Sequence, residues 1–342
     1  MTLPSFSALV VFAEQGQHFR RACVERTLAD LPPGEVLIKV AYVGVCGSDM
    51  NIYQGVHPRA QAPLVMGHEF SGTIEKGHPT LAKGTPVTVY PLLSCGHCEP
   101  CLNGYAHVCN TLRLIGIDCD GGMAEYVKVP VDKVLEIPKT LSLKLGAFLE
   151  PVAVGVHAVR RSGYKPGDRA VVFGAGPIGL CVASCLKYFG AAKVIVVEAN
   201  PYRLSVAQKL GFTTIDASNE DVRAKIKDYT DGFNADFAFD CAAHPSVQTV
   251  LMDVIKVQGT AVIVGSYKKP PEVDLLKVEF KELTVIGIRV YERRDFEIAT
   301  QILESEFIDF DLLLSEAPPE NAPEVFQNLL KGGNTIKMLF KM

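Results

Sequence analysis

The chain has 342 residues, of which 48% are hydrophobic and 21% charged, and a formal net charge of −4. That length exceeds one compact core and predicts about two domains. The slightly acidic balance excludes the basic footprint of a nucleic-acid binder. No apolar run reaches the roughly 20 residues of a membrane-spanning helix.

The first stretch, Met1 to Gln15, carries an apolar patch at Ala8–Ala13, with no basic segment before it and no small-residue cleavage site after it. It reads as a first strand rather than a signal peptide, which predicts a cytoplasmic protein. The ten cysteines then sit in a reducing compartment, where clustered thiols serve as metal ligands in preference to disulfides.

Up to residue 150 the chain consists of short β-like runs broken by Gly and Pro, among them Glu35–Val43, Phe70–Ile74, Thr85–Tyr90 and Met123–Val129. They predict a mainly antiparallel, partly barrel-like domain. Cys46 lies in Val45-Cys46-Gly47-Ser48-Asp49, His68 and Glu69 in Gly67-His68-Glu69-Phe70, and Glu150 in Leu149-Glu150-Pro151. Taken singly, these residues have plain readings as a core cysteine, a satisfied histidine and a helix-start carboxylate. Spacing does not assemble them. The strongest local signal is Cys95, Cys98, Cys101 and Cys109. Four thiols at these intervals close a tetrahedral shell around one ion, which predicts a structural zinc. His97 and His107 fall inside the loop, but four sulfurs already complete the shell.

From Arg169 onward strands alternate with helices. The runs Arg169–Phe173, Val194–Glu198, Thr213–Asp216, Ala235–Asp240, Thr260–Val264 and Leu283–Ile288 read as strands. Pro177–Phe189, Pro201–Leu210 and His244–Lys256 read as helices. The alternation predicts an α/β domain with a doubly wound parallel sheet. The first strand runs into Gly174-Ala175-Gly176-Pro177-Ile178-Gly179 and then a helix, the full setting of a dinucleotide-binding turn. Gly174 permits the turn, Gly176 lets a pyrophosphate approach, and Gly179 lets helix and strand pack. Pro177 and Ile178 open the helix whose N-terminus receives the phosphates. Glu198 ends the second strand and is placed for the adenosine ribose, which favours NAD over NADP. Arg203 is a neighbouring cation that weakens this choice if it faces the site. Gly265 and Arg289 are further cofactor-binding candidates, and Arg289 is also a candidate for a substrate hydroxyl or carboxylate. Arg160-Arg161 reads as the basic end of a helix. Helices near Phe296–Leu303 and Glu324–Lys331 precede a last strand, Lys337–Phe340, which could return to the first domain.

Together these motifs, with Gly121-Gly122-Met123-Ala124-Glu125-Tyr126, resemble the zinc-containing medium-chain dehydrogenase/reductase family over nearly the whole chain. The resemblance implies a GroES-like, mainly-β catalytic domain at residues 1–152 and 287–342. A Rossmann NAD-binding domain would occupy 153–286. It implies two Zn²⁺ ions per chain, NAD in preference to NADP, and a homodimer or homotetramer. Alcohol dehydrogenases of the family carry a cysteine at the place of Glu150. The glutamate is similar to the sorbitol (polyol) and threonine dehydrogenase branch. The implied catalytic ligands are Cys46, His68 and a carboxylate, with Glu69 and Glu150 as the two candidates.

The implied reaction passes a hydride from a secondary alcohol of a polyol or sugar acid to NAD, with threonine-type amino-alcohol oxidation as the alternative. An ion with an open position would lower the pKa of the substrate hydroxyl, and Ser48 would take its proton. Many relatives carry a relay histidine where this chain has Asn51, so the relay must differ, through water or His57. Tyr53 and Arg59 are candidates to face a small, polar, hydroxylated substrate. The reading from another class is a zinc-free or purely nucleotide-binding relative. Such chains usually lack both ligand sets that this sequence retains.

Overall fold

The computed structural model describes residues 5–14, 18–27 and 31–342. The chain divides into two compact units, Met1–Glu150 with Leu314–Met342, and Pro151–Leu313.

The first unit opens with the antiparallel pair β1 (Ser5–Glu14) and β2 (His18–Thr27). The rest of the expected first strand lies outside the described residues. Next come β3 (Glu35–Gly44), helix α1 (Gly47–Tyr53), β4 (Leu64–Val65), β5 (Glu69–Lys76) and β6 (Pro86–Val89). The short pair β7 (Leu92–Leu93) and β8 (Arg113–Leu114) brackets helix α2 (Glu99–Leu102). After β9 (Tyr126–Pro130) and β10 (Val134–Glu136) the chain enters the long helix α3 (Leu143–Ser162).

The second unit alternates strand and helix: β11 (Arg169–Phe173), α4 (Pro177–Tyr188), β12 (Lys193–Glu198), α5 (Pro201–Lys209), β13 (Thr213–Asp216), α6 (Val222–Tyr229), β14 (Ala235–Asp240), α7 (Pro245–Leu251), β15 (Ile255–Ile263), α8 (Leu275–Phe280), β16 (Thr284–Gly287) and α9 (Arg293–Glu304). The chain then returns to the first unit with β17 (Leu314–Ala317), α10 (Ala322–Leu330) and β18 (Lys337–Lys341).

The order of the main sheet in the first unit is β10-β6-β5-β3-β18-β17, with β9 also on β3. The terminal strand β18 pairs antiparallel with β3, Leu339 opposite Gly44. The second unit is a six-stranded parallel sheet in the order β13-β12-β11-β14-β15-β16. Order reverses beside β11, so the connections that leave the C-terminal ends of β11 and β14 run in opposite directions along the sheet and leave the crevice where α/β sheets bind ligands. The fold class is therefore a GroES-like β unit with a Rossmann-type sheet. The core of the sheet unit is built from Val171, Phe173, Ile195, Val197, Ile215 and Ala238 with their helix partners. Each of these valine, isoleucine and phenylalanine side chains contributes roughly 1.5–3 kcal/mol by its burial.

Local chemistry starts the helices where the strands stop. Pro201 and Pro245 occupy first-turn positions that need no N–H donor. Asn200 and Asp221 cap backbone N–H groups of α5 and α6.

Two boundaries differ from the sequence reading. The expected helix to Lys256 ends at Leu251, and Ile255 instead opens β15 by pairing with Ala235. The return to the first unit begins at Leu314 rather than at 287. Residues 287–313 pack with the sheet unit. Asp295 accepts from Arg160 and meets His157 Nδ1 at 2.9 Å, and Phe307 lies edge-on to Tyr188 at 6.0 Å. Arg160 thus serves this ion pair as well as the end of α3.

Candidate active site and cofactor site

The dispersed residues meet because β3 and β5 end side by side. Cys46 follows β3 and caps the start of α1, where its N–H donates to Asp49 Oδ2 at 2.8 Å. His68 and Glu69 stand at the start of β5, with Glu69 in register opposite Gly44. One ligand atom each from Cys46, His68 and Glu69 lies within 4.8 Å of the others, and His68 and Glu69 are buried. Glu150 is buried on α3, outside this trio. Its charge still reaches His68 and Lys337.

Lys337 at the start of β18 is buried and forms an ion pair with Glu69 Oε2. Sequence reasoning missed it, because a lysine opening an apolar terminal run gives no sign of a partner 268 positions earlier (337 − 69).

The site attracts positive charge. Burial opposes a charge on His68, yet its hydrogen bond to Cys46 and the charges of Cys46, Asp49 and Glu150 hold its pKa well above the usual value. Burial likewise opposes the Lys337 ammonium, but Glu69, Cys46 and Glu150 raise its pKa. Burial pushes the Asp49 carboxyl up, with His68 pulling against it. The charges of Cys46, Asp49, Glu69 and Glu150 thus all act on Lys337, and uncompensated buried charge is costly. A thiol, an imidazole and a carboxylate in one buried cluster form a donor set that suits zinc. Ser48 Oγ is buried and, among the described residues, makes no hydrogen bond.

Three expected cleft residues have structural duties. His57 Nδ1 accepts from the N–H groups of Arg59 and Ala60 at 3.3 and 3.1 Å, and burial lowers its pKa. Arg59 donates to the Leu112 carbonyl at 2.6 Å and pairs with Asp118 at 3.3 Å. Tyr53 stacks on Phe326 with ring centroids 4.5 Å apart.

The cysteine loop closes on itself. Cys98 Sγ lies 3.4 Å from Cys101 Sγ and 3.7 Å from Cys109 Sγ. Sulfurs held about 2.3 Å from a tetrahedral ion would lie about 3.8 Å apart, so the loop fits one zinc. Backbone N–H groups of Cys95 and Cys98 point at Cys109 Sγ and Cys95 Sγ, at 3.3 and 3.4 Å. Backbone hydrogen bonding lowers the pKa of Cys95 to about 5, which favours the thiolate that binds metal.

In the sheet unit a cavity of about 670 Å³ is lined by Gly174, Gly176, Pro177, Ile178, Gly179, Glu198, Arg203 and the 241–250 segment. Gly174 has φ +95, and a Cβ on Gly179 would overlap the Gly174 carbonyl, so both glycines are required by the turn. Glu198 Oε2 accepts the Ala175 N–H at 2.8 Å, and Oε1 accepts those of Ala199 and Asn200 at 2.8 and 2.9 Å. The glycine turn and the carboxylate therefore hold each other in place. Arg203 Nη1 lies 3.8 Å from where a Cβ on Gly176 would stand.

Gly265 and Arg289 are not among the residues that line this cavity. Gly265 faces Ala243, whose Cβ is 2.9 Å from the place of a glycine Cβ. Arg289 is exposed beyond β16, the edge strand.

Asp240 is a hub that the sequence did not reveal. It is fully buried at the end of β14, and its Oδ1 accepts from Ala242 and Ala243 at 3.1 and 2.9 Å. Its Oδ2 accepts from the Tyr267 hydroxyl. Its carbonyl accepts from Val264 and Gly265 at 3.0 and 2.8 Å. One carboxylate thus fixes the two loops that follow β14 and β15.

Known proteins match both units. Residues 32–139 match the alcohol dehydrogenase GroES-like domain, and residues 177–305 match the zinc-binding dehydrogenase family. The chain is 36% identical to a 2-dehydro-3-deoxy-L-galactonate 5-dehydrogenase of Pseudoalteromonas atlantica, over 84% of this chain and 85% of the relative. It is 36% identical to an L-threonine 3-dehydrogenase of Bacillus velezensis, over 90% and 92%. Its fold superposes on the crystal structure of 2R,3R-butanediol dehydrogenase from Bacillus subtilis with a TM-score of 0.89 and 32% identity, covering 98% and 99% of the two chains. With both ligand clusters and the glycine turn in place, the chain belongs to the zinc-containing medium-chain dehydrogenase/reductase family, as a zinc-dependent alcohol oxidoreductase.

Proposed function

We propose that the protein oxidises a secondary alcohol of a sugar acid or polyol with NAD. The observation that carries this reading is the trio of a half-buried Cys46 with the buried His68 and Glu69. Glu150, whose charge reaches His68, is the second carboxylate candidate for the ion. A zinc ion bound there supplies Lewis acidity that eases ionisation of a substrate hydroxyl. Ser48 Oγ, which has no hydrogen-bond partner among the described residues, would accept the proton of the substrate hydroxyl while passing its own on to water. Asp49 fixes the Cys46 backbone, and the burial of His68 and Glu69 excludes water. A second zinc is held by Cys95, Cys98, Cys101 and Cys109 and is structural.

The cavity beside β11 takes the dinucleotide. The Glu198 carboxylate at its rim would accept a ribose hydroxyl and repel a 2′-phosphate, which supports NAD over NADP. Arg203 on the same rim is the group that would soften that choice.

The substrate class follows the sugar-acid relative, and threonine is the second reading, favoured by the equally similar threonine dehydrogenase. An NAD-reduction screen over sugar acids, polyols and threonine separates them. Turnover of a sugar acid or polyol at least tenfold more efficient than of threonine supports the first reading, and the reverse order replaces it.

The assembly is a homodimer through β16. This edge strand exposes Val285 at 46%, beside α8 with Leu276 at 60% and Phe280 at 76%. An unpaired edge with an apolar flank is a template for a second copy. Phe280→Glu should yield a monomer in sedimentation, and an unchanged mass removes this surface from the interface. Among the described residues no helix is long and apolar enough to cross a membrane. The clustered thiols favour the cytoplasm as its place.

A further inference from the structure

Lys337 is 3% exposed, and an ammonium buried that far is costly unless a charge meets it. The sheet register explains where it finds one. Gly44 on β3 lies between Glu69 of β5 and Leu339 of β18. A Cβ on Gly44 would overlap Glu69 Oε2 and stand 3.0 Å from Lys337 Cε. The missing side chain therefore makes the space in which Lys337 Nζ and Glu69 Oε2 pair. The same carboxylate belongs to the trio with Cys46 and His68. One carboxylate thus faces two cations, an ammonium fixed by the sheet and the zinc ion of the reading above.

We propose that Lys337 is a positioning residue for the catalytic metal: by holding Glu69 Oε2 it restricts Glu69 to one oxygen on the ion and keeps a coordination position open for substrate. A catalytic zinc needs that open position. Without the ammonium, Glu69 would close on the ion with both oxygens and fill it. Removing a partner that orients a metal ligand ordinarily costs about 10–100-fold in metal affinity; here the second carboxylate oxygen set free would reverse that sign.

The test uses cobalt-substituted full-length enzyme and azide as a small ligand for the open position. The inference rests on the zinc reading, so the wild-type visible bands that disappear in Cys46→Ser are measured first. Their absence would overturn both. With the bands present, Lys337→Met should shift them, weaken azide binding about tenfold or more and slow zinc release to a chelator by a similar factor. In a Glu69→Gln background the same substitution should change none of these. A folded Lys337→Met with wild-type bands and wild-type azide affinity overturns the proposal and leaves the zinc reading standing. If Lys337→Met does not fold, Glu69→Asp decides. Its shorter carboxylate cannot span both cations, so its bands must depart from wild type, and unchanged bands overturn the proposal.

Discussion

The two ligand clusters of the first unit are built in opposite ways. The cysteine loop takes Cys95, Cys98, Cys101 and Cys109 from one stretch of chain. The other cluster takes Cys46, His68 and Glu69 from the ends of two paired strands, and its counter-charge, Lys337, from the last strand. A local loop can close around an ion by itself, so a metal bound there would contribute to folding. A cluster assembled by sheet register exists only once the sheet has formed, so a metal bound there would be free to serve chemistry. Loss of a ligand should therefore cost stability in the first cluster and turnover in the second.

The largest effect expected is that of Cys46→Ser, which should lower kcat by roughly a thousandfold or more, since an ion that polarises substrate is worth several kcal/mol. Its melting temperature should stay within a few degrees of wild type. A large fall in melting temperature with modest loss of kcat would invert the comparison. For Cys98→Ser the expectation is the opposite pattern. Loss of a structural metal should cost about 2–4 kcal/mol and lower Tm by about 5–15 °C, with residual activity at low temperature. Thermal melts with and without a chelator check it.

Two smaller effects test the sheet unit, where the site is again a product of local sequence. Glu198→Ala should reduce the preference for NAD over NADP by about tenfold, as loss of a charged hydrogen bond near 1.5–3 kcal/mol implies. The ratio of kcat/KM for the two cofactors reads it directly. Tyr267→Phe removes one hydroxyl from the Asp240 hub and should raise KM for NAD a few-fold with little change in kcat. An unchanged KM would mean that Asp240 holds the two loops without the tyrosine.

The legible parts of the molecule share a property. The glycine turn, Glu198 and the four cysteines declare themselves within short windows, because each works through neighbours in the chain. The strand–helix alternation of the second unit was legible for the same reason. What stayed hidden depends on distant partners. Nothing near Lys337 indicates Glu69, because only the antiparallel pairing of β18 with β3 brings them together. Arg59 and Tyr53 read as cleft residues in the sequence, but Asp118 and Phe326 engage them in the fold. The return at 287 is what the family resemblance implies, with no local signal to fix it. The contacts of Asp295 and Phe307 carry the chain on with the sheet unit to Leu313. Helix α7 was overextended because Val254 and Ile255 continue an apolar pattern that serves a strand equally well.

The most direct test of the account is the zinc content of the purified wild type beside that of Cys46→Ser. The account predicts about two ions per chain in the wild type and about one in the variant, with NAD reduction lost and the melting temperature nearly kept. A wild type without zinc, or a variant that retains both its zinc and its turnover, would contradict it.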